Sequence, residues 1–174
     1  MKTIIQIVIM LTLVILTNGC SKQGPIGPKG DEGKVGNNGN ANVSSATFTM
    51  SSWFWSAPYY YADLSIPELT TTNANTAAVM VYFNTTGGTT WVALPYTQYH
   101  SPYNYYMGFN TGVGNVEVTW FYDSSLSSGS DPNAFYGTTI KCKVVVIPPA
   151  IKKKHPDLDL TNYEAVKKCF NLAD

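Results

Sequence analysis

The segment "VGNVEVTWFY", residues 113–122, decides the fold class of the chain. Between residues 116 and 120 it alternates apolar with polar side chains, and Glu117 and Thr119 are the polar members. Successive side chains of a β-strand point to opposite faces, so this period of two predicts a strand with one buried face. The buried face is formed by Val116, Val118, Trp120 and Tyr122.

The segment "TTIKCKVVVIP", residues 138–148, starts with the same alternation and then loses it. Lys141 and Lys143 alternate with apolar residues, but Val145 and Ile147 continue their face with apolar side chains. We therefore expect the second half of this strand to be covered on both sides, with the C-terminal tail as the candidate cover. The opposite face is formed by Ile140, Cys142, Val144 and Val146.

Four further segments have the length and composition of strands. Residues 76–83, "TAAVMVYF", are apolar on both faces, as in a central strand that is covered on both sides. Turn signals at 84–88 and 111–112 predict hairpins. Residues 44–150 are thus predicted to be all-β: a single β-sandwich of six to eight strands, either jelly-roll or immunoglobulin-like. The four segments are 47–55, 76–83, 89–96 and 103–110.

Residues 1–20, "MKTIIQIVIMLTLVILTNGC", have the form of an export signal. Lys2 supplies the positive start, and the apolar stretch that follows is shorter than a membrane-spanning helix requires. The end of the segment resembles a lipoprotein signal. It predicts a signal peptide over 1–19, acylation of Cys20 and a lipid anchor in the outer membrane. Whether the chain faces the periplasm or the cell surface is left open.

Residues 20–43 contain six consecutive Gly-X-Y triplets. Only glycine fits at the axis of a collagen triple helix, so this spacing is typical of collagen. Two interpretations stay open for so short a run: a triple helix that makes the protein a homotrimer, and an extended monomeric spacer. In both, the segment is a stalk. Its glycines are Gly24, Gly27, Gly30, Gly33, Gly36 and Gly39.

The C-terminal tail, residues 151–174, combines a charged linker with a short helix. Residues 151–159 are predicted to be extended. Thr161 and Glu164 have the spacing of a capping box, which predicts a helix over about 162–171. One face of that helix is apolar, so we expect it to dock on the sandwich. That face carries Tyr163, Val166 and Phe170.

The polar residues argue against nucleic-acid binding and against catalysis. The chain has eleven lysines, eleven acids and no arginine, so it lacks the bidentate guanidinium that recognises phosphate. The two histidines, His100 and His155, give neither a metal ligand set nor a base placed beside a nucleophile. We expect a protein that is not an enzyme and holds no metal or cofactor.

Two cysteines remain once Cys20 is acylated. An exported protein can form disulfides, and a bond between Cys142 and Cys169 would join the helix to the sandwich. The alternative is two free thiols, because Cys142 falls on the core face of its strand.

Aromatic residues supply the candidate binding site. They cluster at 53–61 and 96–106, and consecutive aromatic residues in a strand point to both faces, so some of them leave the core. Exposed tyrosine provides apolar area with a polar group, which suits contact with a glycan or a protein. The candidate residues are Tyr59, Tyr60, Tyr99, Tyr103 and Tyr105.

These parts together resemble a group of collagen-like lipoproteins of Bacteroidota. The resemblance is carried by the Gly-X-Y run after Cys20 and by the segments "ANVSSATFTMSSWFW", "CKVVVIPP" and "TNYEAVKKCFNLAD". It implies a cell-envelope location and a β domain, and it implies no activity. We expect a structural or interaction lipoprotein, with a glycan- or peptide-binding module that uses aromatic loops as the alternative. Its expected partners are the membrane, a glycan or an envelope protein.

Overall fold

The computed structural model of the chain describes residues 34–35, 42–84, 90–100, 103–122 and 130–173. Side-chain placement is described for these residues except at positions 34, 35, 100, 103 and 122. The predicted signal peptide, Cys20 and the six glycines of the Gly-X-Y run lie outside the described residues.

The described residues confirm an all-β fold, built from two antiparallel sheets of five strands each. They contain ten strands rather than six to eight, because several strands are only two or three residues long. The strands are β1 Lys34–Val35, β2 Ser44–Met50, β3 Phe54–Ser56, β4 Tyr59–Ser65, β5 Ala78–Asn84, β6 Val92–Ala93, β7 Tyr96–His100, β8 Tyr103–Gly112, β9 Asn115–Tyr122 and β10 Ile140–Ile147. The helices are α1 Pro132–Tyr136, α2 Pro149–Lys154 and α3 Tyr163–Phe170.

The first sheet has the strand order β1-β2-β10-β5-β6. At its centre, β10 pairs with β2 on one side and with β5 on the other, so Cys142 lies opposite both Phe48 and Phe83. The predicted hairpin around residues 84–88 is confirmed by the pairing of β5 with β6.

The second sheet has the strand order β3-β4-β9-β8-β7. Its longest pairing joins β8 to β9, and the turn between them lies at Val113 and Gly114 rather than at the predicted residues 111–112. Gly114 adopts a φ of 77°, a left-handed conformation that glycine reaches without strain.

The main core lies between the two sheets. The predicted buried face of β10 contributes Ile140, Cys142 and Val144 to it, and the buried face of β9 contributes residues that include Val118 and Trp120. The period-two predictions for both strands are therefore confirmed. Burial of these apolar side chains, at roughly 25 cal/mol per Å² of apolar surface, is what holds the sheets together.

A second core covers the outer face of the first sheet. Val145 and Ile147 of β10 pack with Tyr82 of β5 and with the apolar face of α3. This confirms that the tail covers the second half of β10 and that β5 is covered on both sides. The residues that α3 and the chain after it contribute are Tyr163, Val166, Phe170 and Leu172.

The start of the tail differs from the prediction in two details. Residues 149–154 form the helix α2, where an extended linker was expected, because Pro149 at its first turn has the φ that a helix requires. The cap of α3 is Asn162, whose side chain accepts a bond from the Ala165 N–H at 3.2 Å. Thr161 instead donates through its N–H and its hydroxyl to Asp159.

Two strand predictions were wrong in extent, and one strand was not predicted. Residues 47–55 are not one strand, because the chain crosses from the first sheet to the second between β2 and β3. Residues 89–96 are likewise divided between β6 and β7, which lie in different sheets. β4 was missed altogether.

Within the Gly-X-Y run, β1 pairs with β2 at the edge of the first sheet, so this part of the predicted stalk joins the sandwich.

Within the part of the chain that the structure describes, no helix is both long enough and apolar enough to span a bilayer.

Candidate functional site

The outer face of the second sheet carries the aromatic side chains that leave the core. Burial alternates along β4, β8 and β9, so the residues between the buried positions point away from the first sheet. We call this surface the open face. Its members include Phe54, Tyr59, Tyr61, Asp63, Thr97, Tyr99, Asn104, Tyr106, Gly108, Asn110, Glu117, Thr119 and Phe121.

The aromatic rings of the open face form two groups. On β3 and β4, the Tyr61 ring lies 5.7 Å from the Phe54 ring and 6.4 Å from the Tyr59 ring, measured between centroids. On β8 and β9, Tyr106 and Phe121 are directly paired and stack at 4.9 Å with an angle of 15° between their planes. Phe121 keeps 37% of its surface exposed. The rings therefore pack against one another while part of their apolar area faces solvent.

Small residues lie beside the Tyr61 ring on the open face. Thr119 of β9 is paired with Tyr61 on one side and with Gly108 on the other. A side-chain carbon placed on Gly108 would make only an ordinary contact, 3.4 Å from the Thr119 hydroxyl oxygen. Because neither residue carries a large side chain, the surface is lower here than at the aromatic rings, and we call this position the depression.

A row of hydrogen-bonding groups borders the aromatic part of the face. Asp63, Glu117 and Asn110 are aligned across β4, β9 and β8. The Asn110 amide donates to the Glu117 carboxylate at 3.0 Å, and the Asn115 amide donates to the Asp63 carboxylate at 3.3 Å. Asp63 and Asn110 are exposed, so their remaining acceptors and donors can reach a ligand.

Charge is distributed unevenly along the chain. No lysine lies between Lys34 and Lys141, whereas five acids fall in that interval. All strands of the second sheet belong to the interval, so their only carboxylates, Asp63 and Glu117, have no cationic side chain beside them on the same sheet. The open face is thus aromatic, polar and weakly acidic.

The five predicted binding tyrosines do not form one site. Tyr59 and Tyr99 belong to the open face, but they lie at opposite sides of the sheet, and Tyr99 on the edge strand β7 is 69% exposed. Tyr60 is half-buried and packs against the main core. The Tyr103 side chain lies outside the described set. The exposed tyrosines therefore lie on strands of a sheet and not in loops as predicted.

Tyr105 was wrongly predicted as an exposed binding residue. It is 8% exposed, because it points between the sheets. Its ring lies 4.2 Å from the Phe135 ring of α1 and 5.3 Å from the Trp120 ring. Adjacent residues on β8 face opposite ways, so Tyr106, not Tyr105, reaches the open face.

The sequence did contain a signal for the residues that were missed. Glu117 and Thr119 were assigned to the polar face of β9, and Phe121 continues that face with the same period. Tyr61 and Tyr106 stand beside predicted candidates, and only the strand register assigns each of them to one face.

Lys143 of β10 is enclosed by the tail on the outer face of the first sheet. It is 1% exposed, and its Nζ donates to the Tyr163 hydroxyl at 2.6 Å and to the Ala173 carbonyl at 3.1 Å. The same nitrogen lies 5.0 Å from the centroid of the Trp91 ring and 4.8 Å from that of Tyr163. A buried ammonium needs such partners, because its desolvation is costly.

Tyr82 contributes a second polar link between the first sheet and the tail. Its hydroxyl donates to the Leu160 carbonyl at 2.5 Å, and its ring lies 5.1 Å from the Tyr163 ring. Burial is the main cause that raises the pKa of the Tyr82 hydroxyl, followed by repulsion from Tyr163 and Asp159. The Tyr82 hydroxyl therefore stays protonated and keeps its hydrogen bond to the Leu160 carbonyl.

The disulfide considered for Cys142 and Cys169 is not formed, and both thiols are free. Cys142 points between the two sheets, whereas α3, which carries Cys169, packs on the opposite face of the first sheet. Burial raises the pKa of the Cys142 thiol to about 12. Cys169 is exposed, and its sulfur lies 3.5 Å from His155 Nδ1.

Among the described side chains, no group of three or more histidine, cysteine or acidic residues is placed to bind a metal ion. Asp131 and Asn133 have structural roles around α1. Asp131 caps α1 through the Ala134 N–H, and the Asn133 side chain bonds Met50 and Ile140.

Comparison with known proteins gave no match: no family model, no curated protein and no solved structure is significantly similar to this chain.

Proposed function

We propose that the chain is a non-enzymatic lipoprotein of the cell envelope, and that its β domain is an interaction module that binds through the open face. The contrast between the two outer faces carries this proposal. The first sheet is covered by the tail of the same chain, whereas the second keeps aromatic rings at its surface. Partly exposed aromatic side chains next to hydrogen-bonding groups are typical of surfaces that contact another molecule.

The location rests on the N-terminal segment. A lipid on Cys20 would hold the chain to the outer membrane, and residues 20–43 would separate the domain from the bilayer. The pairing of β1 with β2 is a reason to prefer the monomeric spacer over the triple helix, because residues 34–35 are then part of a sheet. This proposal agrees with the resemblance to collagen-like lipoproteins of Bacteroidota.

For the finer class of the sandwich we favour the jelly roll. In an immunoglobulin sandwich the first and last strands belong to different sheets. Here β2 and β10 are hydrogen-bonded neighbours in one sheet. That neighbourhood supports a jelly roll, in which two Greek keys are wound together.

Site-specific crosslinking in intact cells tests the interaction module. A photoreactive p-benzoylphenylalanine replaces Phe121 on the open face in one variant and Lys141 on the first sheet in the other. Both positions are exposed, so they form a matched pair. We expect adducts chiefly from position 121. Equal yields from the two positions, or adducts from position 141 alone, would contradict a binding role for the open face.

The anchor is tested separately. Cells fed an alkyne analogue of palmitate should label the wild-type chain and leave the Cys20→Ser variant unlabelled. The variant should also leave the membrane fraction, because a peptide without acyl chains loses about 0.8 kcal/mol for each buried CH₂. An unlabelled wild-type chain would refute the lipoprotein assignment.

A further inference from the structure

We propose that the open face binds a neutral glycan chain, an inference that rests on the interaction module proposed above. A sugar ring has an apolar C–H surface and a rim of hydroxyl groups. The open face offers the complement of both: aromatic rings in two groups, and a row of amide and carboxylate groups beside them.

The shape of the surface favours a chain over a small molecule. Small ligands bind in concave pockets that enclose most of their surface. The open face instead spans β3, β4, β9 and β8, with the depression at Thr119 and Gly108 beside Tyr61. An extended ligand can rest one ring on Tyr61 and another on the Phe121–Tyr106 pair while it passes over the depression.

Charge selects a neutral ligand. The two carboxylates of the face, Asp63 and Glu117, have no lysine or arginine beside them on the second sheet. Uronic acids, sulfated sugars and nucleic acids would bring like charge to this surface, and like charges placed close together are unfavourable. Hydroxyl groups, by contrast, can donate to these carboxylates and accept from the Asn110 amide.

A second copy of the chain fits this face poorly. If two copies met through the same surface, Asp63 and Glu117 of each would approach the same acids of the other, with no cation between them.

The test is an array of neutral and anionic oligosaccharides probed with the full chain in detergent, followed by calorimetry on the glycan that binds best. We expect saturable binding to a neutral glycan and none to the anionic ones. Phe121→Ala and Tyr61→Ala should each weaken that binding by about tenfold, the order of one aromatic contact. Val113→Ala is the matched control, because Val113 is exposed and apolar but lies in the turn beyond the face.

Thr119→Arg keeps the proposal testable if an alanine variant unfolds. It leaves all the aromatic rings in place and puts a bulky cation in the depression, so it should abolish binding while thermal denaturation shows a folded domain. Preference for anionic glycans, silence across the array, or binding that survives Thr119→Arg would overturn the glycan assignment. So would light scattering that shows an oligomer dissociated by Thr119→Arg, since a second copy would then occupy the face.

The two proposals fail in different ways. Crosslinks from position 121 together with silence on the array would leave the interaction module standing and reject only the neutral glycan. Loss of both signals would reject the binding role itself.

Discussion

Both sheets have five antiparallel strands, but the outer face of the first is covered by the tail and the outer face of the second is open to solvent. On the first sheet, the tail packs over Tyr82, Val145 and Ile147 and even encloses a lysine. On the second sheet, Phe121 and its aromatic neighbours remain partly in solvent. The comparison teaches that the alternation within a strand fixes which side chains share a face, whereas the rest of the chain decides whether that face becomes core or surface.

The largest expected effect comes from removing an aromatic ring on the covered side. Phe170→Ala should lower the free energy of unfolding by about 3–5 kcal/mol, because it leaves a cavity among buried side chains. Phe121→Ala, its counterpart on the open face, should cost about 1 kcal/mol, the order of one aromatic pair. Urea denaturation measures both. Equal losses would break the distinction between a covered and an open face.

The next effect separates two lysines on the same face of β10. Lys143→Ala should destabilise the domain by about 1–3 kcal/mol, since it removes the ammonium that bonds Tyr163 and Ala173. Lys141 is exposed, so Lys141→Ala should change stability by about 0.5 kcal/mol or less. Chemical denaturation of the two variants checks this. A harmless Lys143→Ala would mean that the tail does not hold the lysine as described.

Alkaline pH should reveal the thiol between the sheets. Cys142 has an ordinary pKa of 9.0 and a folded pKa of about 12. Below pH 9 the Cys142 thiol is protonated in both the folded and the unfolded chain, so it adds no pH dependence to the free energy of unfolding. Above it the unfolded chain loses the proton while the folded chain keeps it, so stability falls by up to about 1.4 kcal/mol per pH unit until about pH 12. Tyr136, with its pKa raised to about 12, adds to the loss above pH 10.

Denaturation at pH 8, 9 and 10 tests this slope. Cys142→Ala should flatten it between pH 9 and 10, and Val113→Ala, which removes no titratable group, should leave it as in the wild type. An unchanged slope in Cys142→Ala would show that the buried thiol does not titrate as described.

The smallest expected effect concerns the exposed thiol. Cys169→Ser should alter stability by about 0.5 kcal/mol or less, because the side chain is on the surface. In the unreduced wild type, a thiol reagent should modify Cys169 in the folded domain and Cys142 only after unfolding. Two unreactive thiols after unfolding would indicate the disulfide that the structure does not contain.

Much of the fold could be predicted from the sequence where one physical signal dominates. The period of two in β9 and β10 identified their buried faces, and the loss of that period at Val145 and Ile147 correctly indicated a second cover. The apolar stripe of α3 identified what provides the cover. These predictions held because burial of a continuous apolar face is worth more than any local preference.

The remaining features depend on contacts that are distant in sequence. The crossing between β2 and β3 interrupts a run that reads as one strand, and nothing local marks it. Lys143 looks like an exposed residue until the tail is in place. The predicted binding residues were the least accurate part. Tyr105 and Tyr106 are adjacent residues of the same type, and only the register of β8 with β9 assigns them to opposite faces. For the candidate site, the sequence predicted the type of residue but not the face of the sheet to which each side chain points.

The absence of lysine between positions 34 and 141 has a practical consequence. Trypsin has no cleavage point in residues 35–140, so complete digestion should release most of both sheets as one fragment. Coupling through amines would attach the protein to a sensor chip by the lysines up to residue 34, by β10 and by the tail, and by no strand of the second sheet. The second sheet would then be presented towards the solution, and its binding surface would stay free of chemical modification.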